Sequence, residues 1–143
     1  MKDNLNEQLR QTIESVGGSK CSDREKKGQK FIAFKRQIND KTMDIALFYS
    51  DQNDFLMTQF FTSFMEPYNE PSTDFYHILT KLNLTSVMGS LLITKEADDN
   101  YYISFKSNCL VFKDNLSTDS EFELFLKSSI RMLCMFDEEL HRI

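Results

Sequence analysis

Near the end of the chain Phe122, Leu126, Ser129, Leu133, Phe136, Leu140 and Ile143 recur at alternating steps of four and three. A helix gathers that spacing onto one face, and Phe125, Ile130 and Met132 widen the stripe on either side. Thr118 and Glu121 stand three apart at its start, the spacing of a capping box, so the helix is expected to begin near Asp119. Roughly 25 residues at ~1.5 Å per residue make it about 37 Å long, close to the diameter of a compact domain of this size. Such a helix has to lie across the whole of whatever sheet the rest of the chain forms. Its polar side carries Glu123 with Lys127 and Glu138 with Arg142 in the favourable i,i+4 order, and His141 and Arg142 suit the negative end of the helix dipole.

The segment before it sets out the partners. Pro67 and Pro71 end an earlier layer, since neither can donate to a strand ladder or continue a helix. Ser72 is then a cap candidate and Asp74 suits the first turn. Phe75, Ile78, Leu79 and Leu82 share one helical face, and Asn83 is a plausible left-handed stop. After Gly89, the stretch Ser90 to Lys95 and the stretch Tyr101 to Lys106 read as a hairpin around Ala97-Asp98-Asp99-Asn100. Cys109 to Lys113 reads as a short extended piece.

The first half follows the same logic. Leu5, Leu9, Ile13 and Val16 make a first amphipathic helix, stopped by Gly17-Gly18. The polar stretch Gly17 to Gly28 reads as a loop. It runs into a basic segment, Arg24 to Lys30, that either contacts an acidic partner or is simply solvated. Over Gln29 to Ile38, Ile32, Phe34, Arg36 and Ile38 alternate with Phe31, Ala33 and Lys35 in one half-buried strand. Asn39-Asp40-Lys41 turns it into a second, where Met43, Ile45, Leu47 and Tyr49 oppose Asp44, Ala46 and Phe48. Phe55 to Met65 is apolar enough for a third strand, with a helix as the alternative because Phe60-Phe61 blurs the period. The order is helix, three strands, helix, two strands, helix: an α+β domain over residues 1–143 with an antiparallel sheet covered by helices.

Several residues carry a resemblance. Leu79-Thr80-Lys81-Leu82-Asn83, Gly89-Ser90-Leu91-Leu92-Ile93, Tyr102-Ile103-Ser104-Phe105, then Leu110, Leu116 and the long closing helix resemble the YbjN family and the related type III secretion chaperone-like proteins. The likeness spans about the second half of the chain and rests mostly on apolar spacing. It implies a small acidic chaperone-like fold that binds other proteins without ATP, homodimeric in the secretion chaperones, and a regulatory role in YbjN relatives. It brings no catalytic residues with it.

Chemistry-bearing patterns are scarce. The chain has no GxGxxG, P-loop, HExxH, GxSxG or EF-hand pattern. His77 and His141 are the only histidines, and Cys21, Cys109 and Cys134 lack CxxC spacing, so neither a metal site nor a disulfide framework is expected. Asp98-Asp99 and Glu138-Glu139 read as solvated acids. Tyr101-Tyr102 lacks the interleaved basic residues of a nucleic-acid platform, and a net charge of −5 opposes phosphate backbones and anionic lipid. No apolar run nears the ~18 residues of a membrane span, and Met1-Lys2-Asp3-Asn4 does not open a signal peptide, so the expected location is cytoplasmic. At 41% hydrophobic residues the chain is expected to fold without metal or cofactor.

The expected function is non-enzymatic: a chaperone-like module binding an extended segment of a client protein, with a regulatory adaptor holding one folded partner as the alternative. Leu124 and Met135 form a thin strip on the back of the closing helix, near Ser128 and Arg131. Either these are scattered exposed residues or they contact a client or a second copy. The strip is too small for a stable interface alone, so Phe60 and Phe64, or strand edges, are expected to contribute.

Overall fold

The structure, a computed structural model, describes residues 2–64, 71–116 and 120–142. The elements in order are α1 (Lys2–Ser15), β1 (Ser19–Lys26), β2 (Gln29–Ile38), β3 (Lys41–Asp51), β4 (Phe55–Ser63), α2 (Thr73–Leu84), β5 (Ser90–Lys95), β6 (Tyr101–Phe112), a 3-10 turn (Lys113–Asn115) and α3 (Glu121–His141). The six strands form one antiparallel sheet in the order β1-β2-β3-β4-β6-β5. The α+β class and antiparallel sheet agree with the sequence reading, but four strands rather than three precede α2.

The extra strand is β1, in the stretch expected to be a loop. It pairs with β2 from Ser22↔Ala33 to Lys26↔Gln29. None of its residues is buried, so the apolar alternation by which a strand is recognised is missing. Its pairing relies on backbone hydrogen bonds, and its charged side chains suit a sheet edge. Similarly, Cys109 to Lys113 is no separate piece: β6 runs unbroken to Phe112 and pairs with β4 from Ser63↔Ser104 to Phe55↔Phe112.

One face of the sheet builds the core. Ile32, Phe34, Met43, Ile45, Leu47, Leu56, Phe60, Ile103, Phe105 and Val111 are buried there against Leu9 and Ile13 of α1 and Phe122, Leu126, Leu133 and Phe136 of α3. Helix α3 touches α1, β2 and β6, so it crosses the sheet as its length requires. Helix α2 packs on β5 through Leu79 and partly buried Phe75 and Leu82. Two buried hydroxyls, Ser107 of β6 and Ser129 of α3, satisfy each other at 2.8 Å. Without that pair the Ser107 hydroxyl would be a stranded polar group in the core, while Ser129 also donates to the Met88 sulfur at 3.6 Å.

Helix ends refine the sequence reading. Helix α1 stops in a Schellman arrangement: Gly17 takes φ +94° and the Gly18 amide donates to the Ile13 carbonyl at 2.9 Å. Ser72 caps α2 as expected, its hydroxyl accepting from the Phe75 amide. Asn83, however, is not a left-handed stop. It lies within the helix, which ends at Thr85 in right-handed conformation. Its carboxamide brackets Leu91 of β5, donating to the carbonyl at 3.0 Å and accepting from the amide at 2.7 Å. Helix α3 is capped by Ser120, whose hydroxyl accepts from the Glu123 amide, so it starts two residues later than expected. Thr118, which with Glu121 made the expected capping box, and Asp119, the expected start, lie outside the described residues, as do Met65, Pro67 and Ile143.

The outer pairs of α3 also differ in part. Lys127 lies 3.5 Å from Glu123 as expected, although Glu123 is buried, whereas Arg142 pairs with Glu139 rather than Glu138. Gly89 immediately precedes β5 at φ +77°. A Cβ there would sit 2.8 Å from both the Lys106 carbonyl oxygen and the Phe105 ring, so only glycine fits.

Candidate functional site

Strand pleating sends alternate residues to opposite faces, and the three helices take the one carrying Phe60. The other face belongs to Phe31 of β2, Phe48 of β3, Phe55, Met57 and Phe61 of β4, and Leu110 and Phe112 of β6. No described helix covers it. Phe31 and Phe48 are opposite one another with ring centroids 4.8 Å apart, and Phe61 meets Phe48 edge-on at 6.4 Å. Met57 is opposite Leu110, and Phe55 opposite Phe112. Met57, Leu110 and Phe112 are 51%, 65% and 63% exposed. Contiguous apolar side chains open to water are what a binding surface requires.

Polar groups divide this surface. Gln59 and Asn108 are a cross-strand pair, Lys106 is opposite Phe61, and Lys35 and Asp44 form an ion pair at 2.8 Å near one margin. A cavity of about 410 Å³ lies between the apolar clusters, with Phe48, Met57, Gln59, Lys106, Asn108 and Leu110 in its lining. The arrangement offers apolar pockets and hydrogen-bonding groups side by side. No three His, Cys, Asp or Glu side chains converge as a metal site among the described residues.

The residues nominated from sequence fall elsewhere. Phe60 is 0% exposed and Phe64 6%, so both are consumed by the core rather than offered to a partner. The pleat explains the correction: Phe60 points to the helices and its neighbour Phe61 points away. Met135 is half-buried and packs against the core, leaving Leu124, 63% exposed, without the apolar companion expected of it. The period-two patterns of β2, β3 and β4 contained the outer set. What was missing was which face the helices would take.

The other candidate groups have identifiable structural partners. Burial is the main influence raising all three thiols above their ordinary pKa, which disfavours the reactive thiolate. Asp98 accepts from the Asn100 amide and from the Tyr102 hydroxyl at 2.8 Å, and those bonds lower its pKa. The described residues include no helix long and apolar enough to cross a membrane.

Fold and surface together define a class: an α+β module with three helices on one side of a six-stranded antiparallel sheet and an aromatic surface on the other. The structure is similar to the crystal structure of YbjN from E. coli, a candidate transcription regulator. The TM-score is 0.54 at 12% identity, covering 95% of this chain and 92% of that one. The YbjN resemblance read from the second half therefore extends, as a likeness of fold, over nearly the whole chain. No protein-family model matches the sequence, and no curated protein is significantly similar to it.

Proposed function

We propose that this chain is a non-enzymatic protein-binding module that holds an extended, apolar-rich segment of a client on the outer face of its sheet. The observation that carries the reading is the exposed aromatic and aliphatic surface on β2, β3, β4 and β6. Its division favours an extended occupant over a second folded copy. An extended chain presents a side chain to the same side every ~6.6 Å, so alternate apolar residues fill separate pockets while the peptide groups between them need polar partners. Gln59, Asn108 and Lys106 are placed among the pockets to supply these. A flexible thioether at Met57 accommodates varied side chains.

The regulatory adaptor is the second reading, favoured by the fold likeness to YbjN. It uses the same face with one dedicated partner.

Met57→Lys/Leu110→Lys tests the proposal because both positions are solvent-exposed and outside the core. Binding of a cysteine-blocked, permanently unfolded test protein should weaken by about ten-fold, the effect of losing two apolar anchors, while the circular dichroism spectrum stays unchanged. Unaltered affinity in the folded variant would overturn the assignment. A parent dimer that this variant dissociates would give the face to a second copy instead.

A further inference from the structure

The basic segment Arg24 to Lys30 has no part in the client surface, and the fold gives much of it a setting. Lys27 and Gly28 form the two-residue turn between β1 and β2, at φ +53° and +78°, closed by the pair Lys26↔Gln29. Positive φ at both positions is the hairpin geometry that asparagine-glycine satisfies best. This turn forms one wall of a cavity of about 730 Å³, within the size range of small-molecule sites. Lys27 and Lys30 line it from the hairpin and Lys113 from the 3-10 turn.

Charge decides what would enter. Asp51 is the sole acid in the lining, and it is already bound to Lys113 at 2.6 Å, an interaction that lowers the Asp51 pKa. Neither Lys27 nor Lys30 forms an ion pair among the described residues, although Glu25 is the cross-strand partner of Lys30, and the lining itself carries an excess of two positive charges inside a protein of net charge −5. Of the remaining lining, Leu5, Leu116 and Tyr49 give an apolar wall, and Asn6, Gln8, Gln29 and Ser50 are polar. The Tyr49 hydroxyl is fixed by donating to Asn6 at 3.0 Å.

We propose that this cavity binds a small organic phosphate, its dianionic head at Lys27 and Lys30 and its apolar body against Tyr49, Leu5 and Leu116. A phosphate monoester carries about −1.5 to −2 at neutral pH and so matches the two unneutralised ammonium groups, which hold it as point charges. The apolar wall has no counterpart in inorganic phosphate. The site adjoins the 410 Å³ cavity of the client surface, sharing Gln29, Tyr49 and Ser50 with its lining, but its three lysines belong to this cavity alone and its assignment does not depend on that of the client surface.

The test is an amide NMR titration of the whole chain with phenyl phosphate, inorganic phosphate and benzoate at low salt. Phenyl phosphate should shift Gly28, Asp51 and Lys113, which line this cavity and not the client surface, saturably, and inorganic phosphate and benzoate should bind several-fold more weakly. Lys27→Asn/Lys30→Gln should reduce phenyl phosphate affinity about ten-fold, the combined effect of two exposed charge pairs. Because asparagine-glycine favours this turn, the variant keeps the hairpin, and an unchanged melting temperature would verify it. No saturable shift at these amides, or equal affinity in the folded variant, would overturn the site. Inorganic phosphate binding as tightly as phenyl phosphate would overturn the apolar subsite, and equal binding of benzoate would overturn the selection for a dianion.

Discussion

The Asn83 side chain occupies both hydrogen-bonding groups of the Leu91 peptide, at 2.7 and 3.0 Å, and so joins α2 to the edge strand β5. A carboxamide in that position does locally what a further strand would do. It satisfies the backbone and blunts the edge against pairing with another chain.

Removing the bracket should therefore be costly for a half-exposed residue. Asn83→Ala leaves a partly buried amide and carbonyl without partners and should destabilise by about 1–3 kcal/mol. Asn83→Asp keeps the acceptor but sets an oxygen against the Leu91 carbonyl, so it should not restore stability. Urea denaturation of the two variants checks this, and full stability in the aspartate variant would contradict it.

A buried carboxylate ties the β2–β3 hairpin to α3. Burial would raise the Asp137 pKa. Opposing it, the Lys41 ammonium at 2.6 Å, the Asn39 amide at 2.9 Å and the charge of His141 hold the group below its ordinary 3.8. The folded pKa is thus below the unfolded one. This contribution to stability is full above about pH 4, where the unfolded group is ionised, and is lost as pH falls through the folded pKa. Asp137→Asn should cost about 1–3 kcal/mol at pH 7, and its deficit should shrink toward pH 2. A deficit that grows in acid would contradict the sign.

Ser120 should carry the start of α3. Ser120→Ala removes the acceptor for the Glu123 amide and should cost about 1 kcal/mol, read as a lower denaturation midpoint. Ser120→Asp, which keeps an acceptor and adds negative charge at the helix start, should recover that loss.

The sequence was most legible where one period governs a long element facing one environment. The α3 stripe, the β2–β3 hairpin and the Ser72 cap are such cases. Strand β1 was hidden because none of its residues is buried, and nothing in SKCSDREK alternates. Strand β6 was cut short because Ser107 and Asn108 look like a break; their roles are a hydroxyl pair with Ser129 and a cross-strand partner for Gln59. Asp137 was passed over because its partners Asn39 and Lys41 are about a hundred residues away along the chain. The candidate surface depended on a single step of parity: Phe60 and Phe61 are chemically alike, and only the position of the helices assigns one to the core and the other to the outside.

The most direct test follows methyl groups rather than activity. With Met and Leu methyls labelled, the protein is titrated with an extended peptide in which Phe or Leu alternates with Ser or Lys. The account predicts saturable shifts of the Met57 and Leu110 methyls and none at Leu124, which lies on the outer side of α3. Shifts at Leu124 with Met57 and Leu110 unmoved, or no saturable shift at any of the three, would contradict the assignment of the open sheet face as the protein-binding surface.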